Sequence, residues 1–191
     1  MTTLYPIHSV IISYDSTRAI TVTKRNEREY YVKMYDLNTY ELTFEEKLGG
    51  GPEDYIKIKE VEQTIDGKKY CICFFNDGKF YMRSFGKSTR SDAEIKANEV
   101  DINTLLGLDN WTMAISGFSD PYITCCFIDD DRVFVNLFYN PTCTHYHFIY
   151  NFKSHKMEGN PVNKVLDCSR KNFPYKCFYN EEKDEIYSFY R

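Results

Sequence analysis

Cys143, His145 and His147 occupy alternate positions in the C-terminal half of the chain. On a β-strand such residues project from one face, where a thiolate and two imidazoles could bind zinc or copper. A structural zinc site takes a fourth ligand, and the sequence shows no evident partner for these three. A strand with one moderately polar face explains the same residues, so we expect no metal and no cofactor here.

Two further motifs are partial matches to ligand-binding sequences. Residues 86–89 (GKST) match the end of a phosphate-binding P-loop, but Tyr81 stands where that loop needs its first glycine. Residues 129–131 (DDD) lack the ligand spacing, the central glycine and the terminal glutamate of an EF-hand. The sequence also has no Gly-x-Ser-x-Gly motif and no cysteine–histidine signature of a protease. We therefore expect a chain without a catalytic centre.

The composition favours a globular β-rich protein. Hydrophobic residues make up 42% and charged residues 27% of 191 residues, and 17 Tyr and 14 Phe favour strands. A net charge of −4 and the absence of a basic run argue against nucleic-acid binding. The apolar runs are too short to span a bilayer, and the first residues do not resemble a secretion signal. We expect no membrane association and a cytoplasmic location.

The seven cysteines are an odd number, and most lie in apolar, strand-like runs. Buried free cysteine behaves as a small hydrophobic residue. Without a secretion signal, a reducing compartment and free thiols are expected. The cysteines in such runs are Cys71, Cys73, Cys125, Cys126 and Cys177.

A local pattern recurs along the chain at intervals of roughly fifty to sixty residues, a period in the range of propeller blades. In each copy a loop with Gly or basic residues is followed by Pro or an acid, and then by Tyr opening an apolar stretch. The copies are 51–58 (GPEDYIKI), 118–125 (FSDPYITC) and 172–178 (NFPYKCF), with 5–11 (YPIHSVI) as a worn first copy.

Runs rich in aromatic and β-branched residues follow each opening and alternate with turn residues, which predicts hairpin-linked strands. The turns at 66–67 (DG) and 76–78 (NDG) are strong hairpin signals, because glycine accepts positive φ. The predicted strands are 10–14, 19–23, 30–35 and 41–45, then 55–61, 70–75 and 79–85, then 122–127, 133–139 and 145–150. A fourth copy begins at Tyr175 and ends in its second strand.

The stretch between the second and third copies supports alternative interpretations. Residues 91–94 have the spacing of a capping box and could begin a short helix. Residues 97–102 could equally form the outer strand of the second copy. Residues 103–108 predict one helical turn.

Residues 35–41 (YDLNTYE) resemble the end of the third strand and the following turn in WD-repeat proteins, where an aromatic–acid pair precedes a polar turn. Residues 150–156 (YNFKSHK) occupy the same place in the third copy, and 84–89 do so more loosely in the second. The resemblance holds at the level of the blade and to no particular protein. It implies β-propeller blades of four antiparallel strands.

We therefore predict a single all-β domain over 1–191, with blades at about 7–49, 54–102 and 121–165 and an incomplete blade at 174–191. Residues 103–116 are predicted to form an insertion between blades. About three and a half blades do not close a ring. We expect the chain to belong to a larger propeller, or another chain to complete it.

The resemblance implies a non-catalytic scaffold that binds other proteins within a larger intracellular assembly. In propellers the loops before each first strand gather on one face, and aromatic residues there are candidates for binding partners. An alternative is that the tyrosines begin strands and pack between blades. The predicted partner-binding residues are Phe118, Asp120, Tyr122, Phe173 and Tyr175.

Two other functions remain open at the level of sequence. A ligand- or metal-binding propeller with a small-molecule or enzymatic role would need polar groups converging at the inner ends of the blades. The inner strands offer mainly Ile, Val, Cys and Tyr, which argues against this role. A structural subunit could instead be held through its unfinished edge by strand addition.

Overall fold

Short antiparallel strands dominate the computed structural model, which describes residues 7–13, 16–26, 29–49, 56–64, 67, 69–76, 78–86, 98–109, 122–139, 142–165 and 173–190. The first sheet contains β1 (Ile7–Ile12), β2 (Arg18–Asn26), β3 (Glu29–Asp36) and β4 (Leu42–Gly49). The second contains β5 (Ile56–Gln63), β6 (Lys69–Asn76), β7 (Lys79–Gly86) and β8 (Glu99–Asp101). The third contains β9 (Tyr122–Phe127), β10 (Arg132–Tyr139), β11 (Thr144–Asn151) and β12 (Lys156–Val165). The fourth contains β13 (Pro174–Asn180) and β14 (Glu185–Tyr190). Among the described residues there is also a short helix, α1 (Ile102–Leu106).

Each strand pairs with the next one along the chain, so every sheet is an antiparallel meander. The predicted all-β class and the four-stranded organisation are confirmed. The strand predicted at 122–127 has the bounds of β9. No helix among the described residues has the length and apolar character needed to cross a membrane.

The strand considered at 97–102 and the helical turn predicted at 103–108 are both present. β8 forms the outer strand of the second sheet, and α1 follows it directly. The Asp101 carboxylate accepts a hydrogen bond from the Thr104 backbone N–H and caps the helix, which ends at Gly107 with φ 65°. The helix predicted to begin at 91–94 lies outside the described residues.

The second sheet is buried on both faces, and β6 shows why. Neighbouring residues of a strand point to opposite faces. Tyr70, Ile72 and Phe74 pack into the core shared with the first sheet. Cys71, Cys73 and Phe75 pack into the core shared with the third sheet. A strand apolar at nearly every position therefore lies between two other sheets.

The first strands of the four sheets lie side by side. β5 contacts both β1 and β9, and β9 contacts β13. The sheets consequently share one inner edge and spread outward from it. Their stacked faces, rather than shared backbone hydrogen bonds, hold them together.

Gly67, in the β5–β6 turn, makes a close approach between sheets. Its φ is 64°, as the hairpin sequence predicted. A Cβ added there would lie 2.5 Å from the Cβ of Ser13 in the first sheet. Glycine is therefore required both by the turn and by the neighbouring sheet.

Arg83 joins the outer parts of the first and second sheets. Its Nη1 lies 3.1 Å from Glu46 Oε1 on β4, and its Nε donates to Glu99 Oε2 on β8 at 2.8 Å. The three side chains are largely withdrawn from solvent. One guanidinium thus pairs with two carboxylates from different sheets.

We predict that Ile72→Ala lowers the free energy of unfolding by about 2 to 5 kcal/mol, because it leaves a cavity in a fully buried strand. Urea denaturation followed by circular dichroism measures the change. The control is Val162→Ala on β12, where the side chain is 64% exposed, and we expect a change within about 0.5 kcal/mol. Equal effects of the two substitutions would contradict the packing described for β6.

Candidate partner-binding surfaces

Tyr122 and Phe173, two of the predicted partner-binding residues, contact each other. Their rings stack with centroids 4.1 Å apart, and Phe173 also meets the Phe138 ring at 5.2 Å. Both residues are partly exposed and lie where the third sheet meets the fourth. Phe118 and Asp120 lie outside the described residues. A role in partner binding stays a prediction for all four.

The fourth sheet presents a row of stacked aromatic rings, which we call the open aromatic face: Phe178, Tyr187 and Phe189. The Phe178 ring lies 5.0 Å from Tyr187 and 5.8 Å from Phe189. Phe178 is 43% and Phe189 49% exposed, whereas Cys177, on the other side of β13, is buried. Tyr175, predicted from the sequence, is also exposed on this sheet. The sequence pattern predicted these strands, but it did not predict which face of the fourth sheet is exposed to solvent.

A polar seam joins the third and fourth sheets. The Asn136 Nδ2 donates to the Tyr190 hydroxyl at 3.1 Å, and the same hydroxyl lies 3.2 Å from His147 Nε2. Asn136 is fully buried, and burial lowers the pKa of His147. The seam therefore holds an uncharged imidazole near neutral pH.

The candidate set Cys143, His145 and His147, for which no metal was expected, does not form three convergent ligands. The two histidine rings lie 6.1 Å apart, on the face of β11 that meets the fourth sheet. Cys143 is in the turn before β11 and is disulfide-bonded, so it offers no thiolate. The expectation of free thiols is wrong at this residue. It is confirmed at the five buried cysteines, which are Cys71, Cys73, Cys125, Cys126 and Cys177.

Charged groups lie on the inner strands, contrary to the mainly apolar character expected there. Lys176 on β13 forms ion pairs with Glu60 and Glu62 on β5. Burial raises the pKa of Glu60, and the Lys176 charge opposes that shift. The sequence missed this cluster because its members belong to different repeats and meet only in the folded molecule.

A cavity of about 810 Å³ opens at the ends of the β5–β6, β9–β10 and β13–β14 hairpins. This end is opposite to the loops that were predicted to bind a partner. Burial raises the pKa of the Asp129 carboxyl, but hydrogen bonds from Asp131 and Arg132 outweigh this effect and lower the pKa below its usual value. Asp131 in turn forms an ion pair with Lys69 at 2.9 Å. Two of the three acids at 129–131 therefore already have partners: Asp129 is hydrogen-bonded within the turn, and Asp131 pairs with Lys69 of the second sheet.

Several solved structures resemble this chain. No family model and no curated protein matches the chain. TolB from Acinetobacter baumannii is similar over 98% of this chain and 38% of its own, with a TM-score of 0.51 and 16% identity. The β-propeller domain of Cps50 (Swd1) from Myceliophteria thermophila matches over 96% of this chain and 50% of its own, with a TM-score of 0.49 and 12% identity. Hsv2 from Kluyveromyces lactis matches over 86% of this chain and 50% of its own, with a TM-score of 0.48 and 17% identity.

The sheets are β-propeller blades. Consecutive four-stranded meanders with adjacent first strands are the arrangement of such blades. The chain spans half or less of the three solved chains named above. At this level of identity the similarity shows the fold alone.

We predict that Tyr190→Phe destabilises the docking of the fourth blade by about 1 to 3 kcal/mol, because the buried Asn136 amide loses its acceptor. Hydrogen exchange of the β13 and β14 amides measures the change. Tyr187→Phe is the matched control, since its hydroxyl contacts Glu185 in solvent. If both variants exchange at the wild-type rate, the seam does not hold the fourth blade.

Proposed function

We propose that this chain is a non-catalytic, WD-repeat-like scaffold that binds other proteins within a larger intracellular assembly. The observation that carries the proposal is the open aromatic face on the fourth blade. Exposed apolar patches of this kind mark interaction sites on soluble proteins. Stacked aromatic rings also supply large contact area at low conformational cost.

The edge of the fourth blade supports the same role. Within the described residues, β14 has a hydrogen-bonded neighbour on one side, β13, and none on the other. The free edge offers backbone N–H and C=O groups to an added strand, and the open aromatic face lies beside it. We infer that an extended segment pairs with β14 and that the rest of the same partner packs over Phe178 and Phe189. A further propeller segment or another chain supplies it and completes the ring.

The partner's chemistry follows from the same surface. The open aromatic face is apolar and the chain is net negative, so a protein segment fits better than nucleic acid or an anionic membrane. A cytoplasmic location belongs to this proposal and is supported by the five free buried thiols. The disulfide at Cys143 is the observation that opposes it.

The cavity at the hairpin ends favours the alternative role of a ligand-binding propeller. Its size suits a small molecule, and its lining combines Tyr179, Lys153 and Glu181 with the paired turn acids. The open aromatic face is the stronger observation, because its apolar surface is already assembled and uncovered. Ligand-dependent melting shifts and metal analysis test the alternative.

We predict that Phe178→Ser/Phe189→Ser abolishes capture of the partner by the tagged chain from an extract of its source cells. Loss of a central aromatic anchor costs about 2 kcal/mol or more of binding free energy, which is roughly thirtyfold in affinity. Mass spectrometry identifies the captured proteins, and titration with the leading candidate gives the affinity.

Tyr40→Ser is the control for this experiment, because Tyr40 is 83% exposed but lies in the β3–β4 turn of the first blade. It should bind the partner as the wild type does. Unchanged capture by the double variant would contradict the proposed surface. A compact, monodisperse monomer in solution scattering, with no captured partner, would contradict the need for a completing segment.

A further inference from the structure

Three thiols from two blades converge in the core between them. Cys71 and Cys73 lie on the same face of β6, and Cys125 projects toward them from β9. Their three Sγ atoms all lie within 4.8 Å of one another, and all three residues are fully buried. No single repeat contains the set, so the sequence could not reveal it by spacing.

The three cysteines do more than fill space in the core, because their sulfur atoms converge. Cys71 and Cys73 are two positions apart on β6, so their side chains project from the same face. Cys125 faces them from β9, and the three sulfurs therefore point to a common position. Small contractions of the separations between them would bring all three into contact with one ion. The surroundings are apolar: Val133, Val135 and Phe80 belong to the same core.

We propose that Cys71, Cys73 and Cys125 form a buried binding site for a soft monovalent cation, Cu(I). Thiolate ligands select soft ions, and Cu(I) is the first-row ion most suited to an all-sulfur set. A structural zinc site takes four ligands in tetrahedral geometry, and the group of close ligand atoms in the described residues has three.

Met82 is placed to reinforce this preference. It is fully buried and pairs directly with Cys73 across β6 and β7, so the two side chains share one face of the sheet. A thioether is a ligand for Cu(I) and a poor one for zinc. The register therefore places a fourth soft donor beside the three thiols.

Proton exchange accompanies binding at this site. Burial raises the pKa of the Cys71 thiol, so the thiols are protonated when no metal is bound. Each cysteine thiol that coordinates the ion releases its proton to solvent, whereas the Met82 thioether has no proton to lose, and the copper stays in the +1 state throughout. The bound ion would link β6 to β9, and so the second blade to the third, and it would stabilise that interface.

The test titrates the purified protein, with its Cys143 disulfide intact, with Cu(I) under anaerobic conditions, and bicinchoninate is the competing chelator. We expect one Cu(I) per chain to be withheld from the chelator, and the melting temperature to rise on loading. X-ray absorption should show a shell of sulfur only, with three scatterers, or four if Met82 takes part.

Cys125→Ala leaves the two thiols of β6 and the Met82 thioether, removes the donor from the third blade, and should release the copper to the chelator. Cys126→Ala is the matched control, because Cys126 is the next residue of β9 and is also buried, but packs with Cys177. It should retain the copper. Circular dichroism before titration checks the fold of each variant, and Cys73→Ala replaces Cys125→Ala if the latter does not fold.

Four results would overturn the assignment. In the chelator assay, the first two are the transfer of all copper from the wild type to bicinchoninate, and equal copper loss from Cys126→Ala and Cys125→Ala. In the X-ray absorption spectrum, the third is nitrogen or oxygen scatterers in the copper shell. The fourth is retention of Zn(II) in preference to Cu(I). The wild-type spectrum does not depend on any variant folding. None of these outcomes bears on the open aromatic face, so the site is tested independently of the proposed scaffold.

Discussion

Burial of the second blade on both faces is the constraint on which the rest of the structure depends. Among the described residues, no strand of one blade is hydrogen-bonded to a strand of another, so the blades are held by side chains packed against their neighbours. β6 supplies alternate residues to two cores at once, and its two faces connect the first blade to the third. Stability in such an array is close to a sum of nearest-neighbour interfaces. Loss of an inner blade, such as the second, would remove two interfaces, whereas loss of an end blade would remove one.

The same rule explains why the ends of the array differ from its centre. Val10 and Ile12 on the first blade, and Phe178 and Phe189 on the fourth, are apolar residues left in solvent. Repeat proteins usually cover their terminal faces with polar side chains. These faces carry apolar side chains instead, which is the character of a surface that another blade or a partner covers. The polar seam at Tyr190 shows that the interface next to such an end is also less purely apolar than the central ones.

The strands could be predicted from the sequence because they depend on local information. The continuous apolar run of β6 and the glycines at positive φ are properties of a few neighbouring residues. The relation between blades depends on side chains that lie about fifty residues apart or more. The contact of Gly67 with Ser13, the ion pairs of Lys176 and the convergence of Cys71 with Cys125 are of this kind. Alternation along one strand specifies a face but not what approaches it, so the contact of His147 with Tyr190 on the fourth blade could not be read from the sequence.

The position of Arg83 has a consequence for how such a chain can change over evolutionary time. Its guanidinium balances a carboxylate from its own blade, Glu99, and one from the preceding blade, Glu46. A duplicated or transplanted second blade would carry the cation but would meet a different neighbour, and one acid would lose its counter-ion. Blades that look interchangeable in outline are therefore fixed in order by an electrostatic match between adjacent copies. Substitutions at the three positions should be inherited together.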